Sequence, residues 1–254
     1  MAAMKPLGKD EIVKMKLSCE LAAKTLQYAS TFVKVGTTTN EIDQLVEDFT
    51  KSNGARSAPL NYHGFPKSIC TSVNECICHG VPDNRALKEG DIINLDITCE
   101  LDGFYGDTSA TFFVGEVSAA AKAITEHAKR AMEKGIEVIK PFGTTGDIGF
   151  AINKYVTKQG YYAVREIGGH GIGQSFHGEP FVPSFGKKGR GDRLEPWTCI
   201  TVEPMINEND LPIREMAIEN SSIKYYETQD KSLTAQFEHT ILITDTGYEV
   251  LTVY

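Results

Sequence analysis

The sequence lacks several features that define common protein classes. Among its 254 residues no apolar run approaches the length of a membrane span, and the start, Met1-Ala-Ala-Met-Lys, contains no secretory signal core. Positive charge is also scarce, because 26 Lys and Arg residues against 34 Asp and Glu residues leave a net charge of -8. Such a surface disfavours DNA and anionic membranes, so we expect a cytoplasmic protein with neither partner.

Disulfides and a zinc finger are not indicated either. The six cysteines show neither Cys-x-x-Cys spacing nor a regular framework, which is typical of reduced, mostly buried thiols. Cys76-Ile-Cys78-His79 would suit half of a zinc clip, since thiolate and imidazole are zinc ligands. No second pair at finger-like spacing follows, and reduced thiols are therefore the favoured interpretation.

Helical periodicity marks two segments in each half of the chain. Thr39 or Asn40 is the predicted N-cap of the second helix, and Ser118 that of the third. The predicted helices cover residues 9–34, 41–52, 118–140 and 147–160.

The second half of the chain repeats the pattern of the first. A shift of 107 residues places Asp96 on Glu203, each within a strand-like apolar run. This agreement predicts an internal duplication in which two α+β halves face each other across a pseudo-twofold axis. The halves would cover about residues 9–115 and 118–254 of a single domain spanning 1–254.

A predicted β-hairpin brings two carboxylates to one face. Within residues 91–109, two apolar β-branched runs flank Asp102-Gly103, a strong signal for a two-residue turn. Closing that turn puts Asp96 and Asp107 on the same face as diagonal neighbours, about 7–8 Å apart at the backbone. The apolar surroundings favour a core strand over a solvated edge, so either one acid stays protonated or a cation lies between the two.

The second half supplies three further polar groups in buried-looking segments. Glu203 and Glu238 lie in apolar runs, and His170 stands in the glycine-rich segment Gly168-Gly-His-Gly-Ile-Gly. Together with Asp96 and Asp107 they form an oxygen-rich set with one imidazole. Two divalent cations would balance four carboxylates, and such ligands suit Mn, Fe, Co or Zn. The chemistry expected of this set is metal-assisted hydrolysis.

These five residues, with their order and flanking motifs, resemble the bacterial type I methionine aminopeptidase family. The segments Asn61-Tyr-His-Gly-Phe-Pro-Lys-Ser-Ile-Cys and Gly168-Gly-His-Gly-Ile-Gly carry the resemblance, which extends over nearly the whole chain. It implies the α+β pita-bread fold, with a central antiparallel sheet covered by helices. It also implies a monomer that removes the N-terminal methionine from nascent polypeptides whose second residue is small.

The resemblance implies a role for each residue of the set. Asp96 would bind the first metal, Asp107 and Glu238 would bridge both, and His170 and Glu203 would complete the second. Glu203 would also shuttle a proton from the metal-bridging hydroxide or water that attacks the scissile carbonyl.

Substrate contacts are implied in the same way. His177 would donate a hydrogen bond to the scissile carbonyl oxygen, and His79 would contact the leaving-side amide nitrogen. The methionine pocket would be lined by Tyr62, Phe65, Cys70 and Phe176.

Two departures from that family fall near the pocket. A Trp usually borders the methionine pocket, but residues 207–229 contain none, and Tyr225 or Tyr226 is the expected replacement. The single Trp197 stands where the family commonly has Gly.

Other interpretations stay open at this point. An X-Pro peptidase of the same fold would share the metal ligands, and a non-catalytic binding module would share the fold alone. The basic loop at residues 185–193 is either a solvated loop or a contact with ribosomal RNA.

Overall fold

The computed structural model describes residues 5–253, and the Met1-Ala2 start lies outside them. Four α-helices occur in this range: α1 (Lys9–Ser30), α2 (Thr39–Ser52), α3 (Ala119–Ile136) and α4 (Thr145–Lys158). The strands of the same range are β1 (Arg56–Ser57), β2 (Cys70–Val73), β3 (Cys76–Cys78), β4 (Ile92–Leu101), β5 (Phe104–Phe113), β6 (Tyr162–Ala163), β7 (Gly169–Ile172), β8 (Gly178–Val182), β9 (Cys199–Val202), β10 (Met205–Asn207), β11 (Ile213–Ala217), β12 (Lys224–Thr228), β13 (Thr234–Gln236), β14 (Glu238–Ile243) and β15 (Tyr248–Val250). No helix within residues 5–253 has both the length and the apolar character that crossing a bilayer requires.

The helix ends follow local hydrogen bonding and proline chemistry. Ser118 caps α3 as predicted, its hydroxyl accepting the Ala121 N–H at 3.1 Å. The predicted caps of α2 are wrong by one or two residues, because Thr38 forms a reciprocal capping box with Glu41. The helix α3 ends at Ile136, before its predicted limit at residue 140; Pro141 disfavours helical backbone at Lys140 but does not account for residues 137–139.

One antiparallel sheet organises the molecule. Its strands lie in the order β1-β4-β5-β14-β9-β7-β8, with β2 added to β4 and β15 added to β14. The predicted hairpin is confirmed, since Leu101 pairs with Phe104 and Thr98 with Asp107 across β4 and β5. Apolar side chains from all four helices pack with those of β4 and β9 in the main core, among them Leu26, Ile42, Ile97, Ile124, Ile152 and Ile200.

Matching hydrogen bonds in the two halves support the internal duplication. Gly36 N–H donates to Leu87 at 2.8 Å, and Phe142 N–H donates to Leu194 at the same distance. Thr144 and Asp147 repeat the capping box of α2 at the start of α4. The strand β5, which pairs with β4, and the strand β14, which pairs with β9, pair with each other at the centre. The exact limits of the two halves stay a prediction.

The repeat explains the unusual position of Trp197. Gly90 lies just before β4, and its counterpart Trp197 lies just before β9, with φ of 90° and 67°. The same relation joins Gly36 to Phe142, with φ of 91° and 62°. Glycine reaches this left-handed region without steric cost, whereas a bulky side chain is strained there. A glycine is therefore the natural residue at both positions, and this chain carries aromatic residues in the second half.

We expect Phe142→Gly to be more stable than Phe142→Ala by about 1 kcal/mol, because both lose the ring but only alanine keeps the left-handed strain. Both variants also lose the contact of Arg193 with the Phe142 ring at 4.3 Å. The difference in stability between them therefore reports only the strain of the backbone at residue 142. Urea unfolding of the two variants measures it. Equal stabilities would show that the backbone at residue 142 is not strained.

Candidate active site

The sheet order brings the five predicted ligands to one place. Asp96 comes from β4, Asp107 from β5 and Glu238 from the start of β14, while His170 lies on β7 and Glu203 directly follows β9. The ligand atoms of Asp107, His170 and Glu238 all lie within 4.8 Å of one another. His170 Nε2 is 3.7 Å from Asp107 Oδ2 and 3.5 Å from Glu203 Oε1.

Neighbouring polar side chains fix the orientation of these acids. Thr98, directly across the ladder from Asp107, donates its hydroxyl to Asp107 Oδ1 at 2.8 Å. Thr201 donates to Glu203 Oε1 at 2.8 Å, and Gln236 Nε2 donates to Glu203 Oε2 at 3.1 Å. Both oxygens of Glu203 are therefore held by the protein.

The carboxylates destabilise one another's charged forms. Burial raises the pKa of Asp107 and Glu238 well above the ordinary range, and the other acids of the cluster raise these pKa values further. Burial followed by the Asp96 charge raises the pKa of Glu203, and burial raises that of Asp96. Burial also lowers the pKa of His170 to about 4, so that its imidazole is neutral near pH 7.

The donor set fits a divalent metal centre. Glu238 is 2% exposed, and its buried Oε1 has no hydrogen-bond partner among the described residues. His170 Nδ1 faces the Gly171 carbonyl at 3.1 Å, which leaves the Nε2 lone pair directed at the acids. An orphaned carboxylate oxygen and a free imidazole lone pair in a buried acidic cluster are the groups that a cation satisfies.

The acids form the floor of a cavity of about 160 Å³. All eleven residues predicted for the site line it: Asp96, Asp107, His170, Glu203, Glu238, His79, His177, Tyr62, Phe65, Cys70 and Phe176. Phe65 and Cys70 are buried in one apolar cluster beside the cavity, and Phe176 stacks on the His177 ring with centroids 4.0 Å apart. The sequence-predicted residues thus converge on one concave site that is lined by acidic groups and by apolar side chains.

Cys76 and Cys78 do not form a second metal site. Burial raises the pKa of the Cys76 thiol to about 12 and also raises that of the Cys78 thiol, so both are protonated at neutral pH. Within residues 5–253 the group of side chains arranged to hold an ion consists of Asp107, His170 and Glu238.

Comparison with known proteins places this site in a family. Residues 13–245 match metallopeptidase family M24. The chain belongs to metallopeptidase family M24. The M24 chain is 45% identical to a methionine aminopeptidase of Rickettsia prowazekii, over 95% of its own length and 92% of that relative. It is 47% identical to methionine aminopeptidase A of Synechocystis, over 97% of this chain and 96% of that one.

Solved structures agree with the sequence relatives. The crystal structure of the Rickettsia prowazekii enzyme superposes on the M24 chain with a TM-score of 0.95 at 44% identity, covering 98% of this chain and all of that one. The prolidase from Pyrococcus horikoshii, at 23% identity and a TM-score of 0.77 over 98% of this chain and 63% of its own, shares the fold. The predicted α+β pita-bread fold is confirmed.

Sequence reasoning missed part of the cavity wall of this M24 chain. Ile167 and Ile223 line the cavity, and the expected Tyr225 and Tyr226 do not. Tyr225 packs behind the wall against the cluster of Phe65 and Cys70. No periodicity singles out Ile223, because its position depends on how residues 218–223 fold against residues 61–65. Ser222 N–H donates to the His63 carbonyl at 3.0 Å and joins these two segments.

Proposed function

We propose that the chain is a methionine aminopeptidase that removes the N-terminal methionine from nascent polypeptides when the second residue is small. The observation that carries this proposal is the buried acid and imidazole cluster at the floor of a small, partly apolar cavity. Its relatives of 42–47% identity carry the same activity in their names.

The metal ligands proposed are Asp96, Asp107, His170, Glu203 and Glu238, holding two divalent ions of Mn, Fe, Co or Zn. Four carboxylates balance two such ions, and the orphaned Glu238 Oε1 suits a ligand to one of them. When bound, the ions would supply Lewis acidity that polarises a carbonyl oxygen and lowers the pKa of a water molecule.

Glu203 is the proposed catalytic proton acceptor. Thr201 and Gln236 fix its two oxygens, and its raised pKa matches the task of taking a proton from the attacking water and passing it to the leaving amine. The side chain needs no rearrangement for this transfer, because the same carboxylate lines the cavity floor.

Two histidines bind the scissile peptide bond in this proposal. His177 donates to the carbonyl oxygen as negative charge develops on it. His79, whose Nδ1 faces the Lys224 carbonyl at 2.9 Å, contacts the leaving-side amide nitrogen. Tyr62, Phe65, Cys70 and Phe176 form the methionine pocket, where sulfur–aromatic contacts favour a thioether.

The activity is tested with peptides that begin Met-Ala, Met-Leu and Ala-Pro, incubated with and without a chelator. We expect release of the first residue from the Met-Ala peptide only, loss of that release with chelator, and recovery with Mn²⁺, Co²⁺ or Fe²⁺. Cleavage of the Ala-Pro peptide would instead identify an X-Pro peptidase. If metal-loaded protein releases no residue from any of the peptides, the remaining interpretation is a non-catalytic binding module. Full turnover in excess chelator would falsify the metal mechanism.

We further propose that the basic loop at residues 185–193 contacts ribosomal RNA. Lys187, Lys188 and Arg190 are exposed and form no ion pair within residues 5–253. Lys188 lines a cleft with Lys140, Lys154 and Lys158, so positive charge gathers on this side of an acidic protein. The test is co-sedimentation with ribosomes after changing Lys187, Lys188 and Arg190 to Glu, with Lys14→Glu on α1 as the matched control. Unchanged co-sedimentation of the triple variant would remove the proposal.

Three further proposals follow from the same assignment. The chain acts in the cytoplasm, it is a monomer, and residues 1–254 form a single catalytic domain with internal halves at about 9–115 and 118–254. Light scattering after size exclusion tests the oligomeric state, and limited proteolysis tests the single domain.

A further inference from the structure

Three histidines line the cavity, and their Nδ1 atoms face different chemical groups. His170 Nδ1 lies 3.1 Å from the Gly171 carbonyl oxygen, and His79 Nδ1 lies 2.9 Å from the Lys224 carbonyl oxygen. His177 Nδ1 instead lies 2.9 Å from the Tyr62 hydroxyl.

A carbonyl oxygen can only accept a hydrogen bond. His170 and His79 must therefore carry their proton on Nδ1, and their Nε2 atoms present lone pairs. For His170 that lone pair suits a metal ligand. For His79 it suits acceptance of a hydrogen bond from the N–H of the scissile amide.

Only the partner of His177 is able to donate. Burial raises the pKa of the Tyr62 hydroxyl, which keeps the phenol protonated and able to donate at neutral pH. Packing fixes the relative position of the two rings, since Phe176 stacks on His177 and lies 4.8 Å from Tyr62 between ring centroids. A proton donated by Tyr62 to Nδ1 leaves the His177 proton on Nε2.

We propose that Tyr62 is a positioning residue that donates its hydroxyl to His177 Nδ1 and so fixes the Nε2–H tautomer. His177 can then donate to an oxygen atom in the cavity, which neither His79 nor His170 does in its neutral form. The catalytic part of this inference rests on the proposed function, because the accepting oxygen is the scissile carbonyl. The tautomer itself does not depend on that function.

The tautomers are read directly by long-range ¹H–¹⁵N correlation spectra of the full chain labelled at histidine and treated with chelator. We expect His177 to be protonated on Nε2, and His79 and His170 on Nδ1. Tyr62→Phe keeps the aromatic wall and should remove the preference of His177 for Nε2–H. Protonation of His177 on Nδ1 in the unmodified chain would overturn the inference, and so would an unchanged His177 tautomer in Tyr62→Phe.

Steady-state kinetics of the metal-loaded chain provide a second test of the proposed role of Tyr62. Tyr62→Phe should lower kcat by about 10–100-fold and change KM by less than about threefold, as expected for loss of an orienting hydrogen bond. Tyr105→Phe is the matched control, since Tyr105 stacks on Phe176 at 5.6 Å but its hydroxyl contacts Arg56. Equal kcat in the two variants would overturn the catalytic part. Absence of methionine release from the unmodified chain would contradict the proposed function and leave the spectra interpretable.

Discussion

Replacing Glu203 by Gln is expected to lower kcat for a Met-Ala peptide by about 10²–10⁴-fold, the range typical of a lost general base. The amide keeps the volume of the side chain and one oxygen toward the centre, but it cannot accept a proton. The hydrogen bond from Thr201 to Oε1, at 2.8 Å in the native chain, can persist to the amide oxygen. Substrate binding should therefore change much less than turnover.

Metal content decides what a loss of activity in Glu203→Gln means. Because Glu203 is also a proposed ligand, bound metal is quantified by elemental analysis of each variant at saturating Mn²⁺. The matched control is Glu208→Gln, which removes a carboxylate only five residues along the chain that lies outside the cavity. Near-native kcat in a metal-loaded Glu203→Gln protein would refute its role in proton transfer.

Metal-free protein is expected to lose stability as pH rises from 6.5 to 8.5, and divalent metal should reverse this loss. Burial raises the pKa of Asp96 to about 7, and burial with the Asp96 charge raises that of Glu203 to about 8. Burial and the neighbouring acids also raise the pKa of Asp107 and Glu238 well above the ordinary range. Protonated acids contribute their full share to the free energy of unfolding when the pH is below the pKa that they have in the unfolded chain. This share is lost as the pH rises through the pKa that they have in the folded chain. Between the unfolded and the folded pKa, each such carboxyl lowers the free energy of unfolding by about 1.4 kcal/mol per pH unit.

The chosen pH window separates the acids from the histidines. Burial lowers the pKa of His170 and His239 to about 4, so their contribution to stability rises only up to about pH 6.5. Above that pH the carboxylates determine the slope. Urea unfolding of chelated and Mn²⁺-loaded protein measures both curves, and Asp107→Asn should flatten the metal-free one. Metal-free stability that is constant or rising across the window would contradict the expected crowding of charge.

The hairpin and the acid cluster could be predicted from the sequence because each depends on short-range rules. The Asp102-Gly103 turn fixes the register of β4 and β5, and alternation along the strands then puts Asp96 and Asp107 on one face. The internal repeat and the apolar or glycine-rich surroundings of Glu203, Glu238 and His170 indicated the partners from the second half, and the family resemblance supplied their roles. All of the predicted ligands meet in the structure, although their roles as ligands remain proposals.

The sequence was a weaker guide to which residues of the two halves correspond to each other. An exact repeat of the acids would make Glu238 the counterpart of Asp107. Asp96 pairs with Ser109 in the β4–β5 ladder, however, and the β9–β14 register continues so that Glu203 lies opposite Glu238. Because the repeat makes Asp96 and Glu203 counterparts, their ladder neighbours Ser109 and Glu238 are counterparts too. Asp107 stands two residues before Ser109 and therefore corresponds to Gln236, which donates a hydrogen bond to Glu203. The second acid of each half, Asp107 or Glu238, therefore stands at a different position of the repeat. Only the observed strand register reveals this difference.

Ile223 gives the cavity an aliphatic side, and none of the described residues that line the cavity is a tryptophan. An isoleucine side chain cannot offer the flat, electron-rich face on which rings and cations stack. Inhibitors whose affinity depends on stacking against an indole would find no such partner at Ile223. Compounds that fill the same space with branched alkyl groups would instead bury apolar surface against this side chain.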